Sequence, residues 1–217
     1  MSDNPESGNS AVVNEAQITL GVLNAVEQNA TVTQRSVASD LNIALGMANA
    51  YLKRCAKKGF IKIQQVPRNR YAYYLTPKGF AEKSRLTGEY LSISFNFFRA
   101  ARSQCTELFE QCALAGHHRV ALAGVGDLAE IATLCARDHD IEIVGIIEPG
   151  DFKGQEFASL KVVRSLDELD DVDVVMITDM KEPQKIFDGL IKIVTLDRLL
   201  LPGFLHISRV RPQLMEE

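Results

Sequence analysis

Two regimes of apolar spacing divide the chain. Up to about residue 115 the apolar positions recur at helical intervals, and from Arg119 they gather into short runs separated by polar turns. Between Glu15 and Asn29, Ile18, Leu20, Val22, Leu23 and Val26 predict a first helix. Thr33 caps a second over Gln34–Leu41, with Val37 and Leu41 facing inward at i, i+4. Asn42 and Ile43 make a short break. A third helix follows over Ala44–Lys58, closed by Gly59 as the left-handed C′ residue. The runs FIKIQQV and YAYYLT alternate around a Pro-Arg-Asn-Arg tip and predict a hairpin with a charged end. Three helices, two of them in a tight turn, and a basic hairpin predict a winged helix-turn-helix over residues 13–87, preceded by a disordered tail over 1–12.

Thr76-Pro77 starts the next helix with a cap and a proline at N1. Helical character runs to about Ala115, with a break expected near Gly88. Tyr90, Leu91, Ile93, Phe95, Phe98 and their neighbours make this stretch unusually apolar, and a helix so apolar must bury its surface. Residues 88–116 are therefore expected to link the halves and to join two protomers in a homodimer.

The second half reads as alternating β and α. Strands are predicted at 119–124, 141–148, 160–163, 172–178 and 191–196, with helices at 127–138 and 182–190 and a short one in SLDELD. Apolar runs bounded by polar turns predict a parallel sheet covered on both faces, a Rossmann-like domain over 117–217. The predicted fold class is α/β plus winged helix. At 46% hydrophobic and 24% charged, the composition excludes a wholly disordered or fibrous chain. No apolar run approaches the roughly 18–20 residues of a membrane span. The polar N-terminus shows no secretory leader, so a cytoplasmic protein that meets no membrane is expected. Cys55, Cys105, Cys112 and Cys135 lack metal-ligand spacing and read as buried reduced thiols, so no metal site is expected.

Net charge, −4 overall, changes the picture once it is divided. Residues 1–30 carry −4, residues 31–104 carry +10, and residues 105–217 carry −10. The basic segment coincides with the helix-turn-helix and points to a polyanion, double-stranded DNA. On the third helix Ala48, Leu52 and Cys55 form one side. Gly46, Asn49, Lys53 and Lys57 form the other, at i, i+3, i+7 and i+11. An asparagine there bonds adenine bidentately, the lysines neutralise phosphate or reach guanine, and Gly46 leaves room for the groove. Gln34 and Arg35 stand where a second helix meets phosphates, and Arg68 and Arg70 at the wing tip enter a minor groove. A solvated basic face, or a winged helix used for protein contact, is the competing interpretation.

TQRSVASDLNIALGMANAYLKRCAKKGFIKI and the following RYAYYLTPKGFAEKSRLTGEYL resemble the MarR-type winged-helix regulators of bacterial exopolysaccharide gene clusters. The likeness covers roughly residues 15–95 and rests on the GxxN of the third helix, KKGFIK, and LTPKGxAEKxRLT. It implies dimeric, sequence-specific DNA binding and a DNA-contact role for Gly46, Asn49, Lys53, Arg68 and Arg70.

In RVALAGVGDLAEIA, Gly124, Gly126 and Ala129 form a GxGxxA turn between a predicted strand and helix. Gly124, Val125, Gly126, Asp127 and Leu128 would cradle a pyrophosphate at the helix N-terminus. Glu148, twenty-four residues after Gly124, would accept from ribose hydroxyls, and Thr178 and Asp179 end the fourth strand beside the switch point. Asp127 departs from the pattern: its charge repels phosphate, or it caps the helix itself. The order of winged helix then Rossmann-like domain resembles the Rex-type redox repressors in architecture. GIIEPGDFKG and LKVV resemble the nucleotide-binding N-terminal domains of sugar-modifying enzymes. These likenesses imply NAD(H) or a nucleotide-sugar as effector. Two alternatives stay open: a degenerate Rossmann module used for dimerisation or partner contact, and a small NAD(P)- or nucleotide-sugar-dependent enzyme. No nucleophile–base pair suggests catalysis.

Overall fold

The computed structural model describes residues 5–66, 70–150, 152 and 154–209. The chain divides into two units, Met1–Phe95 and Asn96–Glu217, and the long helix α4 (Pro77–Leu114) gives its first half to one and its second half to the other.

The first unit holds α1 (Pro5–Gln28), α2 (Gln34–Asp40), α3 (Leu45–Lys57) and an antiparallel hairpin of β1 (Ile61–Val66) and β2 (Arg70–Leu75). Helix α1 begins at Pro5, so residues 5–12 are helical rather than the expected tail. Proline suits a first helical turn, where its missing N–H has no partner to lose. Thr33 caps α2 reciprocally with Ser36: the Ser36 N–H donates to Thr33 Oγ1 at 3.0 Å, and the Thr33 N–H donates to Ser36 Oγ at 3.0 Å. Helix α3 ends in a Schellman motif. The Phe60 N–H reaches the Cys55 carbonyl at 2.9 Å and the Gly59 N–H reaches that of Ala56 at 3.0 Å, with Gly59 at φ +74°. Val22 and Leu23 of α1, Val37 of α2 and Leu52 of α3 are fully buried together, closed over by Phe60 and Tyr73. The Tyr73 N–H also donates to the Ala30 carbonyl at 2.8 Å, tying β2 to the turn before α2.

Thr76 caps α4 through the Gly79 N–H at 3.0 Å. The break expected near Gly88 is absent: α4 is continuous. One glycine costs about 1 kcal/mol relative to alanine, too little to interrupt a long helix.

The second unit adds β3 (Arg119–Ala123), α5 (Asp127–Ala136), β4 (Glu142–Ile147), β5 (Glu156–Phe157), β6 (Leu160–Val163), β7 (Val174–Ile177), α6 (Pro183–Leu190) and β8 (Leu199–Leu200). They form a mixed sheet in the order β5-β6-β4-β3-β7-β8, parallel except for β5. The chain builds outward from β3 through β4 to β6, then returns to the other side of β3 for β7 and β8, so the direction of winding reverses between β3 and β7. Alternate residues serve opposite faces. Val120, Leu122, Val174 and Met176 pack with α5 and with Cys105 and Phe109 of α4. Ala121, Ala123, Val175 and Ile177 pack with Phe187 and Leu190 of α6.

The strand expected at 191–196 is not formed. The Ile193 and Val194 N–H groups both donate to the Leu190 carbonyl, at 2.9 and 2.8 Å, so the chain keeps winding after α6. A further turn over Leu196–Arg198 follows, and only Leu199–Leu200 pairs with β7. SLDELD forms a single 3₁₀ turn, Leu166–Glu168. All four cysteines are free and buried, and burial pushes the Cys55 thiol up to about 11 and that of Cys105 to about 12. Among the described residues no helix is long and apolar enough to cross a membrane, and no cluster of three or more His, Cys, Asp or Glu could hold a metal.

Candidate functional site

The first candidate surface is the exposed side of α3. Ala48, Leu52 and Cys55 bury the inner stripe, which turns Lys53 and Lys57 to solvent. A Cβ built on Gly46 meets nothing within 4 Å, so nothing in the chain itself requires a glycine there. Among the described residues Arg35, Lys53, Lys57 and Lys62 are exposed and form no ion pair. Three further bases of this segment are paired internally: Arg54 with Glu15, Lys83 with Glu27, and Arg85 with Glu82 at 2.9 Å and Glu89 at 2.5 Å. Unpaired cations therefore stand on α2, α3 and β1, and Lys58, Lys78 and Arg99 are likewise exposed without an ion pair among the described residues.

Asn49 and Gln34 sit differently from a freely exposed contact. Asn49 is half-buried, and its Oδ1 is covered without a hydrogen-bond partner among the described residues. An unpaired buried acceptor costs about 1–3 kcal/mol, so swinging this side chain out to a base edge relieves a penalty. Gln34 is half-buried near the Tyr73 hydroxyl, whose pKa is raised above the usual tyrosine value chiefly by burial, with Gln34 acting in the opposite direction. Gln34 therefore lies between α2 and β2 rather than fully in solvent. Arg68 lies outside the described residues, and so does the side chain of Arg70, whose backbone is in β2.

Sequence reasoning missed Leu45 and Met47. They are 50% and 42% exposed in the first turn of α3, flanking Gly46. No side chain caps that turn and no acid stands in it. Apolar side chains here match thymine methyl groups. The signal was present in the sequence: both fall outside the Ala48–Leu52–Cys55 stripe.

The second candidate surface lies at the C-terminal ends of β3, β4 and β7. Gly124 has φ +110°, and a Cβ on it would stand 2.5 Å from the backbone N of Asp179. Only glycine fits this turn. Thr178, the one buried polar side chain among the described residues, donates from Oγ1 to the Gly124 carbonyl at 2.6 Å. The Thr178 and Asp179 N–H groups both reach the Ala123 carbonyl, at 2.8 and 2.9 Å. Asp179 Oδ1 in turn accepts from the Lys181 and Glu182 N–H groups at 2.8 and 2.6 Å, turning the chain into α6. Glu148 accepts from the Val125 N–H at 3.1 Å through Oε2 and from the Gly150 N–H at 3.0 Å through Oε1. Gly124, Val125, Glu148, Thr178 and Asp179 are thus brought together by direct bonds or contacts. Gly126 is the N-cap of α5 and a Cβ on it meets nothing. Asp127 is exposed at the first residue of α5, whereas Leu128 is fully buried and anchors the helix. The crevice is acidic, and its Val125 amide is already occupied by a carboxylate. A hydroxyl-rich group suits it better than a bare phosphate.

Residues 16–62 match the protein family described as winged helix-turn-helix DNA-binding, from α1 into β1. No curated protein matches the chain. Among solved structures it is similar to the PcaV transcriptional regulator from Streptomyces coelicolor over 37% of its length, at 20% identity with a TM-score of 0.35 and 59% of that chain covered. It is similar to a MarR family transcription regulator over 42% of its length, at 16% identity, TM-score 0.36, covering 66% of that chain. It is also similar to MepR, a transcription regulator of the Staphylococcus aureus multidrug efflux pump MepA, over 39% of its length, at 24% identity, TM-score 0.34, covering 62% of that chain. The chain spans 59–66% of the length of these three structures.

Proposed function

We propose that the protein is a homodimeric, MarR-type DNA-binding transcription regulator of a bacterial cytoplasm, whose second unit is a Rossmann-like sensor of a nucleotide-type ligand. The observation that carries the DNA reading is the solvent side of α3. Lys53 and Lys57 are unpaired there beside an open Gly46, within the segment that matches the winged helix-turn-helix family. Unpaired cations release counterions when they meet phosphates, and that release supplies most of non-specific affinity. Asn49, Leu45 and Met47 add base-edge chemistry.

Dimerisation is supported by α4. Tyr90, Leu91, Ile93, Phe95 and Phe98 are exposed apolar residues, and a groove of about 610 Å³ beside them is lined by Ala16, Leu20, Leu86, Tyr90 and Ile93. Exposed apolar side chains grouped along one helix are the kind of surface that partners cover. A two-fold dimer would read two half-sites about one helical turn apart.

The sensor reading is supported by the strand–glycine turn–helix at the place where the winding reverses, which is where open α/β sheets bind ligands. Glu148 would accept from ribose or sugar hydroxyls of NAD(H) or a nucleotide-sugar. A second reading, a degenerate module kept for dimerisation or partner contact, is favoured by one observation: Glu148 already fills the Val125 amide.

Thermal melts of the full chain with NAD, NADH and nucleotide-sugars separate the two. A ligand at a hundred times its Kd stabilises by about 2.7 kcal/mol. No shift with any of them selects the degenerate module. The DNA reading is tested by selecting binding sites from random duplexes. Enrichment of an inverted repeat is expected, and no enrichment refutes it.

A further inference from the structure

The two faces of the sheet in the second unit are not covered alike. Helix α5 and the second half of α4 pack on one. On the other, the link from β6 to β7 is the single turn Leu166–Glu168, where a parallel crossover ordinarily carries a helix. Helix α6 is left to cover that face. A pocket of about 300 Å³ results at the ends of β3 and β4, walled by Ile147, Leu166, Ile186 and Leu190.

Its polar groups are both cationic. Arg164 and Lys185 line the pocket, and among the described residues no acidic side chain does. Among the described residues the Arg164 guanidinium makes no hydrogen bond or ion pair, while Lys185 is shared with Glu182 at 2.8 Å. Two cationic side chains, one of them shared with Glu182, thus border an apolar hollow. Gly189 also lines it, and a Cβ there would meet nothing within 4 Å. The lining shares no residue with the Gly124–Gly126 turn but adjoins it, since Ala123 precedes Gly124 and Ile147 and Pro149 flank Glu148; the ligand chemistry proposed for it rests on Arg164, Lys185 and the apolar wall on the α6 side.

We propose that this pocket binds an organic monoanion with an apolar body, of the medium-chain carboxylate class. The hydrocarbon takes the place left by the short crossover, and the carboxylate pairs with Arg164, with Lys185 as a second donor. Arginine suits the task because its planar fork receives both carboxylate oxygens.

Calorimetric titration of the full chain with octanoate, 1-octanol and octylamine tests it, using the wild type, Arg164→Gln and Gly189→Leu. Octanoate is expected to bind once per chain, about tenfold tighter than 1-octanol, with octylamine weakest. Arg164→Gln should reduce octanoate to the level of 1-octanol. Gly189→Leu should abolish binding of both without lowering the melting temperature, since the new side chain enters open space on a helix. Three results overturn the proposal: no binding of octanoate, equal affinity for octanoate and 1-octanol in the wild type, or octanoate affinity unchanged in Gly189→Leu. The last would place the site elsewhere, for example in the groove lined by Leu20, Leu86 and Ile93 of the first unit.

Discussion

The Glu148 carboxylate holds the Val125 backbone N–H at 3.1 Å, the amide that a strand–glycine turn–helix motif offers to a phosphate. The second oxygen holds the Gly150 N–H at 3.0 Å, so one side chain fixes the loops after both β3 and β4. Replacing it by alanine frees the Val125 amide and removes a negative charge from the crevice. Glu148→Ala is expected to lose about 1–3 kcal/mol of stability in denaturant melts. It should also gain affinity for inorganic pyrophosphate over the wild type in calorimetry. Unchanged stability would mean that the Glu148 bonds contribute nothing net.

Two glycines should respond in opposite ways. Gly124→Ala forces a side chain into a positive-φ position against the Asp179 backbone and should cost about 3 kcal/mol or more, read as a lowered urea midpoint. Gly46→Ala meets open space within α3 and should stabilise the free protein by about 0.5–1 kcal/mol. The same methyl narrows the approach to a DNA groove, so Gly46→Ala should weaken DNA binding while raising the melting temperature. A weaker affinity with a lower melting temperature would instead assign Gly46 a structural role.

Asp173 couples stability to pH. Its Oδ2 accepts from the Arg119 N–H at 2.9 Å and the His118 N–H at 2.8 Å, and these bonds hold its pKa below the usual carboxylate value. A depressed pKa contributes stability that is fully present above the unfolded value, about 3.9, and is lost as pH falls through the folded value. Asp173→Asn is therefore expected to be less stable than the wild type at neutral pH. The gap should close as pH falls below about 4. Urea melts across pH check this, and a gap independent of pH would contradict it.

What the sequence showed of the fold was local. Thr33, Gly59 and Thr76-Pro77 punctuate helices through bonds a few residues away, and their boundaries fell within a residue or so of those observed. The run IKIVTL misled because a short apolar run does not distinguish a helix tail from a strand; the Leu190 carbonyl decides it. The candidate sites were legible as residue types rather than as partnerships. Asn49 and Glu148 were recognisable from spacing, but the covering of Asn49 Oδ1, the nearness of Gln34 to Tyr73 and the Glu148–Val125 bond depend on segments distant in sequence. The pocket beside Arg164 was hidden for the same reason, since SLDELD predicted a helix where the chain makes one turn.

The most direct measurement is a mobility-shift titration, at fixed salt, of the full chain and its Asn49→Ala and Lys57→Ala variants. The probes are a duplex selected by the protein and a scrambled duplex. Asn49→Ala should weaken binding to the selected duplex by about 1–3 kcal/mol and leave the scrambled one nearly unchanged. Lys57→Ala should weaken both about equally and reduce the salt dependence by about one ion. Affinity for both duplexes unaltered in both variants would contradict the assignment of α3 as the DNA-reading helix.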